Sequence, residues 1–114
     1  MTSNQDADQI RHPITGAPMD AAFKEILDSF VGELPNRIEQ LERAVAESDI
    51  QTVRTMSHQL KGCAAGYGFD ELGVRAAELE ESLRQIASES SGLTQLRAEI
   101  DGLVALCRSY CDGQ

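Results

Sequence analysis

His58, Lys61 and Gly62 are the residues of this chain whose types and spacing could do chemistry. On a helix, positions i, i+3 and i+4 adjoin, so this spacing sets an imidazole, an ammonium and a patch without a side chain beside one another. Neutral imidazole is nucleophilic near pH 7, and a phosphoryl group taken onto its nitrogen stays labile enough to pass on to a carboxylate. Lys61 can reach the oxygens of such a group from one turn away and offset part of their charge. A glycine inside a helix costs about 1 kcal/mol relative to alanine. Nothing on the core side calls for Gly62, so close approach of a docking protein surface is its simplest account, and Ala65 extends the small-residue patch by a turn.

That chemistry needs His58 to face outward, and the surrounding segment, read as a helix from Ile50 to Tyr67, turns it that way. At about 100° per residue, Val53, Met56, Leu60, Cys63, Ala64 and Tyr67 fall within about 60° of the pole opposite His58. Gln51, Arg54, Thr55, Lys61, Gly62 and Ala65 fall within about 60° of His58 itself and are the expected surroundings of a partner contact. Gly66 and Gly68 bracket Tyr67, as a helix terminus or tight turn requires.

Other segments repeat the helical period. Ala22, Phe23, Ile26, Leu27, Phe30, Val31 and Leu34 form an amphipathic stretch with Asp20 as N-cap. Pro35 is expected to stop or kink it, and Ile38, Leu41, Ala44 and Val45 carry the stripe through a second segment that ends at Ser48-Asp49. Leu72, Ala76, Leu79, Leu83 and Ile86 mark a helix from Phe69 to Ile86. Ser88 to Gly92 reads as a polar linker, and Leu96, Ile100, Leu103, Val104, Cys107 and Tyr110 place a last helix over Leu93 to Cys111. Short linkers favour antiparallel neighbours. The expected fold is therefore all-α: an antiparallel up-and-down four-helix bundle with an additional short N-terminal helical segment. Residues 19–114 form this domain, and residues 1–18 are expected to be a flexible or loosely docked arm, in which His12 has no site role.

Composition narrows the function. With 114 residues there is room for one core, and a formal net charge of -9 argues against nucleic acid or anionic lipid as partner. No apolar run is long enough to cross a bilayer, and Met1 to Asp8 lack a signal-peptide core, so a cytoplasmic location is expected. Cys63, Cys107 and Cys111 are spaced for neither a disulfide framework nor a zinc site and are expected to be reduced thiols. No nucleotide-binding loop is present, so the chain can relay a phosphoryl group but is not a kinase.

The run His58-Gln59-Leu60-Lys61-Gly62-Cys63-Ala64, followed by Gly68, Leu72 and Leu79-Glu80, resembles the signature of histidine-containing phosphotransfer (HPt) domains of bacterial phosphorelays, over about residues 20 to 111. The resemblance implies that His58 accepts a phosphoryl group from the aspartate of one receiver domain, which can belong to a hybrid sensor kinase, and passes it to another receiver. It implies that Lys61 supports the phosphoryl group and that Gly62 leaves room for the receiver. Magnesium would belong to the receiver's acidic pocket, so no cofactor or metal is expected on this chain. Cys63 stands where Ser or Ala is more usual and Tyr67 where an aliphatic residue is common; both look core-facing on the wheel.

The competing readings are a non-catalytic helical adaptor, which would be indifferent to replacing His58, and a metal or redox bundle, for which inward-facing Glu-x-x-His pairs are lacking. Glu78, Glu80 and Glu81 read most simply as a solvated helix face. A monomer is expected, since the bundle consumes the apolar seam of each helix.

Overall fold

The computed structural model describes residues 10–86 and 92–112. Its elements in chain order are α1 (Ala21–Ala46), α2 (Ile50–Gly66), α3 (Asp70–Ile86), the short α4 (Gly92–Gln95) and α5 (Arg97–Asp112). The four long helices pack in a ring, α1 against α2 and α5, and α3 against α2 and α5, as an all-helical bundle. Among the described residues there is no strand beyond an isolated bridge between Arg11 and Pro18, and no helix long and apolar enough to cross a membrane.

The starts of α1 and α2 follow from capping. Asp20 Oδ1 accepts from the Phe23 amide at 2.7 Å to open α1, and Asp49 Oδ1 accepts from the Thr52 amide at 3.2 Å to open α2. The Thr52 hydroxyl also donates to Asp49, and these hydrogen bonds hold the Asp49 carboxyl below its ordinary range.

The ends of α1 and α2 share one device. After α2, Gly68 takes a left-handed φ of 84°, and the amides of Phe69 and Gly68 donate to the carbonyls of Ala64 and Ala65 at 2.9 and 3.3 Å. After α1, Ser48 does the same work at φ 56°, with Asp49 and Ser48 donating to Ala44 and Val45 at 2.8 and 3.1 Å. Ser48 carries a side chain in a conformation that favours glycine.

Pro35 does not end α1. The expected short N-terminal segment is fused with the next into one helix of 26 residues with Pro35 inside it, its side exposed. A proline interrupts the ladder because it has no amide to offer the carbonyl four residues earlier, here Val31. The Cys111 Sγ of α5 lies 4.0 Å from that carbonyl oxygen. Packing of Leu27, Phe30, Val31, Leu34, Ile38 and Leu41 on both sides of the break carries the helix through. The extra helical element of the bundle is instead α4, entered through Gly92, where a Cβ would lie 2.7 Å from Ile86 Cδ1. The expected linker, Ser88 to Gly92, lies outside the described residues except for Gly92 itself.

The core is aliphatic along most of its length, with Leu34, Val53, Leu72, Leu83 and Leu103 fully enclosed. All three Phe and both Tyr gather in one connected set at one end: Phe69 contacts Phe30 and Tyr110, and Tyr67 contacts Phe23 and Phe30. The ring of His12 completes the set, 4.8 Å from that of Phe69.

His12 changes the reading of the arm. Residues 10–19 form a closed turn, with the His12 amide donating to Ala17 O and the Met19 amide to Ile10 O, both at 2.9 Å. The imidazole is buried. Its Nε2 donates to Tyr67 O at 2.7 Å, and its Nδ1 accepts from the amides of Ile14 and Thr15 at 3.0 and 3.2 Å. The described part of the arm is thus docked on the α2–α3 turn; residues 1–9 lie outside the described residues. Cys63, Cys107 and Cys111 are not joined in disulfides, and burial pushes the Cys107 thiol up to about 11, which keeps it protonated and inert.

Candidate functional site

The site is built on α2 and completed by α3. α2 buries Ile50, Val53, Met56, Ser57, Leu60 and Ala64 and turns His58 to solvent, its side chain 67% exposed. Ser57, next to it, is buried but donates its hydroxyl to Val53 O at 2.8 Å, so the core side leaves no polar group unpaired there.

α3 approaches α2 closely at Gly73, where a Cβ would stand 3.5 Å from Ala65 N and 3.7 Å from Lys61 O. Ala76 and Glu80 continue the same face of α3, one and two turns along. Glu80 thereby reaches across the helix pair. Its Oε2 lies 2.9 Å from His58 Nδ1 and its Oε1 2.7 Å from Lys61 Nζ, with Arg84 Nη2 3.9 Å from Oε2. Only 13% of the Glu80 side chain is exposed. The Lys61 ammonium, followed by the His58 hydrogen bond, holds the Glu80 carboxyl below its usual range against the opposing effect of desolvation.

The pairing dictates the tautomer of the neutral ring. A carboxylate only accepts, so Nδ1 carries the hydrogen and Nε2 keeps its lone pair. The arrangement can therefore hold an oriented imidazole nucleophile on an open surface.

Around it, Gln51, Arg54, Thr55, His58, Gln59 and Glu80 line a shallow depression of about 250 Å³. Gln51, Arg54 and Thr55 thus stand with His58 as the wheel indicates. Gly62 is exposed and open: a Cβ placed on it would meet nothing within 4 Å. Ala65 is exposed but belongs to a different hollow, lined also by His12, Thr15, Met19 and Gly68. Cys63 and Tyr67 are partly buried against the core.

Glu80 is the residue that the helical pattern left among solvated acids. A signal existed, since Glu80 lies one turn beyond Ala76 and two beyond Gly73, both buried residues of α3. Its neighbours Glu78 and Glu81 do face solvent.

The family model for the Hpt domain matches residues 25–106. The chain belongs to the Hpt domain family. Hpt domains work by phosphotransfer through a histidine in two-component signalling and interact with receiver domains. No curated protein and no solved structure gave a match to the chain. The chain contains two histidines, and only His58 lies inside the matched span. His12 lies outside it, with both ring nitrogens engaged by backbone groups.

Proposed function

We propose that this Hpt domain protein is a phosphorelay intermediate that takes a phosphoryl group onto His58 from the aspartate of one receiver domain and gives it to another, the donor being a free response regulator or the receiver of a hybrid sensor kinase. The observation that carries the reading is the pairing of an exposed His58 with Glu80, which leaves Nε2 as the nucleophilic atom.

In the forward step the Nε2 lone pair forms the N–P bond while the P–O bond to the receiver aspartate breaks, its electron pair leaving with the carboxylate. The ring gains positive charge, and the proton on Nδ1 stays shared with Glu80. The reverse step onto a second receiver restores the neutral imidazole. Magnesium in this scheme would be held by the receiver, where it would offset charge on the phosphoryl oxygens. Lys61 neutralises Glu80 in the resting state and stands one turn from the incoming group. Gly62 and the faces of Gln51, Arg54 and Thr55 meet the receiver. The protein acts as a monomer in the cytoplasm and has no kinase activity of its own.

Mixing the purified protein with a phosphorylated receiver tests the proposal. Acid-labile, base-stable phosphate is expected on the wild type and absent from His58→Gln, with both proteins equally helical. Label that persists on His58→Gln, or never forms with any receiver, would favour the adaptor reading.

A further inference from the structure

We propose that Arg54 is a phosphoryl-binding residue of this site, the cation that receives the phosphoryl oxygens when His58 is modified. The inference rests on the reading of His58 as acceptor and asks which group balances the charge that arrives there.

Among the described residues three cations border the site, and two are committed. Lys61 Nζ is 2.7 Å from Glu80 Oε1. Arg84 is 3.2 Å from Glu81 Oε1 and 3.9 Å from Glu80 Oε2. For either to embrace a phosphoryl group it must loosen its hold on a carboxylate, and Lys61 would then leave Glu80 with less to offset its repulsion of the new anion. Arg54 sits one turn before His58 on the same face of α2 and lines the same depression. Among the described residues it has neither an ion pair nor a side-chain hydrogen bond. A guanidinium presents paired N–H groups that match phosphate oxygens, and one with no partner to surrender loses nothing in the exchange.

In the step itself N–P forms at Nε2, the bond from phosphorus to the donor breaks, and the donor leaves with the electron pair. Afterwards the site holds a positive ring beside Glu80 and an anionic phosphoryl group over the depression. In the resting arrangement Lys61 is paired with the carboxylate, and Arg54 is the cation free to meet the phosphoryl group first.

The test uses a small donor, potassium phosphoramidate, so that no receiver docks and a loss cannot come from a weakened protein interface. Wild type, Arg54→Gln, Arg54→Lys and His58→Gln are treated in parallel, and phosphohistidine is followed by mass spectrometry and by ³¹P NMR across pH. Arg54→Gln is expected to form phosphohistidine roughly fivefold more slowly and to raise the apparent second ionisation of the phosphoryl group by about half a unit, with Arg54→Lys restoring most of both. An unchanged rate and an unchanged ³¹P titration in Arg54→Gln, with wild type labelled at His58, overturn the role of Arg54 alone. Failure of wild type to be labelled at His58, or labelling of His58→Gln at the wild-type rate, overturns the underlying acceptor reading as well.

Discussion

Glu80 Oε2 stands 2.9 Å from His58 Nδ1, and the two residues come from different helices, 22 positions apart. The nucleophile of α2 is therefore oriented by α3, and its geometry depends on how closely the two helices pack at Gly73. A carboxylate here has opposing effects: it steadies the ring as it turns positive and it repels the incoming phosphoryl group. Lys61, 2.7 Å away on the other oxygen, offsets the second effect.

Replacing Glu80 by Gln keeps the shape and a hydrogen-bond acceptor but removes the charge. Transfer from a phosphorylated receiver is expected to slow about tenfold, or roughly 1.4 kcal/mol in the barrier, with His58 still labelled. Rapid-quench measurement of phosphohistidine formation reads this directly, and an unchanged rate would remove Glu80 from the mechanism.

The same ion pair has a pH signature. The Glu80 pKa is lowered from 4.5 chiefly by Lys61, so its contribution to stability is present above the unfolded value and disappears as pH falls through the lowered folded one. In a His58→Gln background, where the imidazole plays no part, adding Glu80→Gln should lower the melting temperature by a constant amount near neutrality. The gap should close in acid, below the ordinary glutamate range. Circular dichroism melts between pH 3 and 7 would show it.

Gly62 separates folding from docking. Nothing lies within 4 Å of a Cβ placed there. Gly62→Ala is therefore expected to raise stability by about 0.5–1 kcal/mol through helix propensity, measured by denaturant unfolding. Gly62→Gln should fold as well as wild type yet take phosphate from a receiver several times more slowly, while phosphoramidate labelling stays unchanged.

Ser48 is a point of stored backbone strain. At φ 56° it occupies the position that glycine fills at the end of α2. Ser48→Gly is expected to stabilise the bundle by roughly 0.5–1 kcal/mol with no effect on transfer. Chemical denaturation would expose a smaller or opposite change at once.

His12 and Gly68 are coupled. His12→Ala removes the ring that donates to Tyr67 O and accepts from two amides, an expected loss of about 1–3 kcal/mol. Gly68→Ala meets both a left-handed φ of 84° and a Cβ 2.8 Å from His12 Nε2. With His12 already replaced, only the backbone penalty remains, so the double mutant should be less damaged than the sum of the two by about 1 kcal/mol.

Helical periodicity made the bundle legible because apolar spacing along Val53, Met56 and Leu60, or Leu72, Ala76 and Leu79, encodes which side of each helix is covered. The cap at Asp20 was legible for a similar reason, being a local contact over three residues. Pro35 misled because the rule against proline in helices is local, whereas the packing of α1 against its neighbours on both sides is not. Glu80 was hidden for the complementary reason: its role comes from a helix–helix approach that no single-helix pattern contains. His12 sat in a segment without period, and only the tertiary fold shows that its ring closes the end of the core.

That closure has a bearing on where the physical domain begins. The family match starts at residue 25, yet the packed unit reaches back to Ile10, because the turn held by His12 covers the aromatic end of the bundle. A recombinant fragment cut at the homology boundary would keep His58 and Glu80 intact while uncovering Phe69 and the Tyr67 carbonyl. It would retain the transfer chemistry and lose a seal.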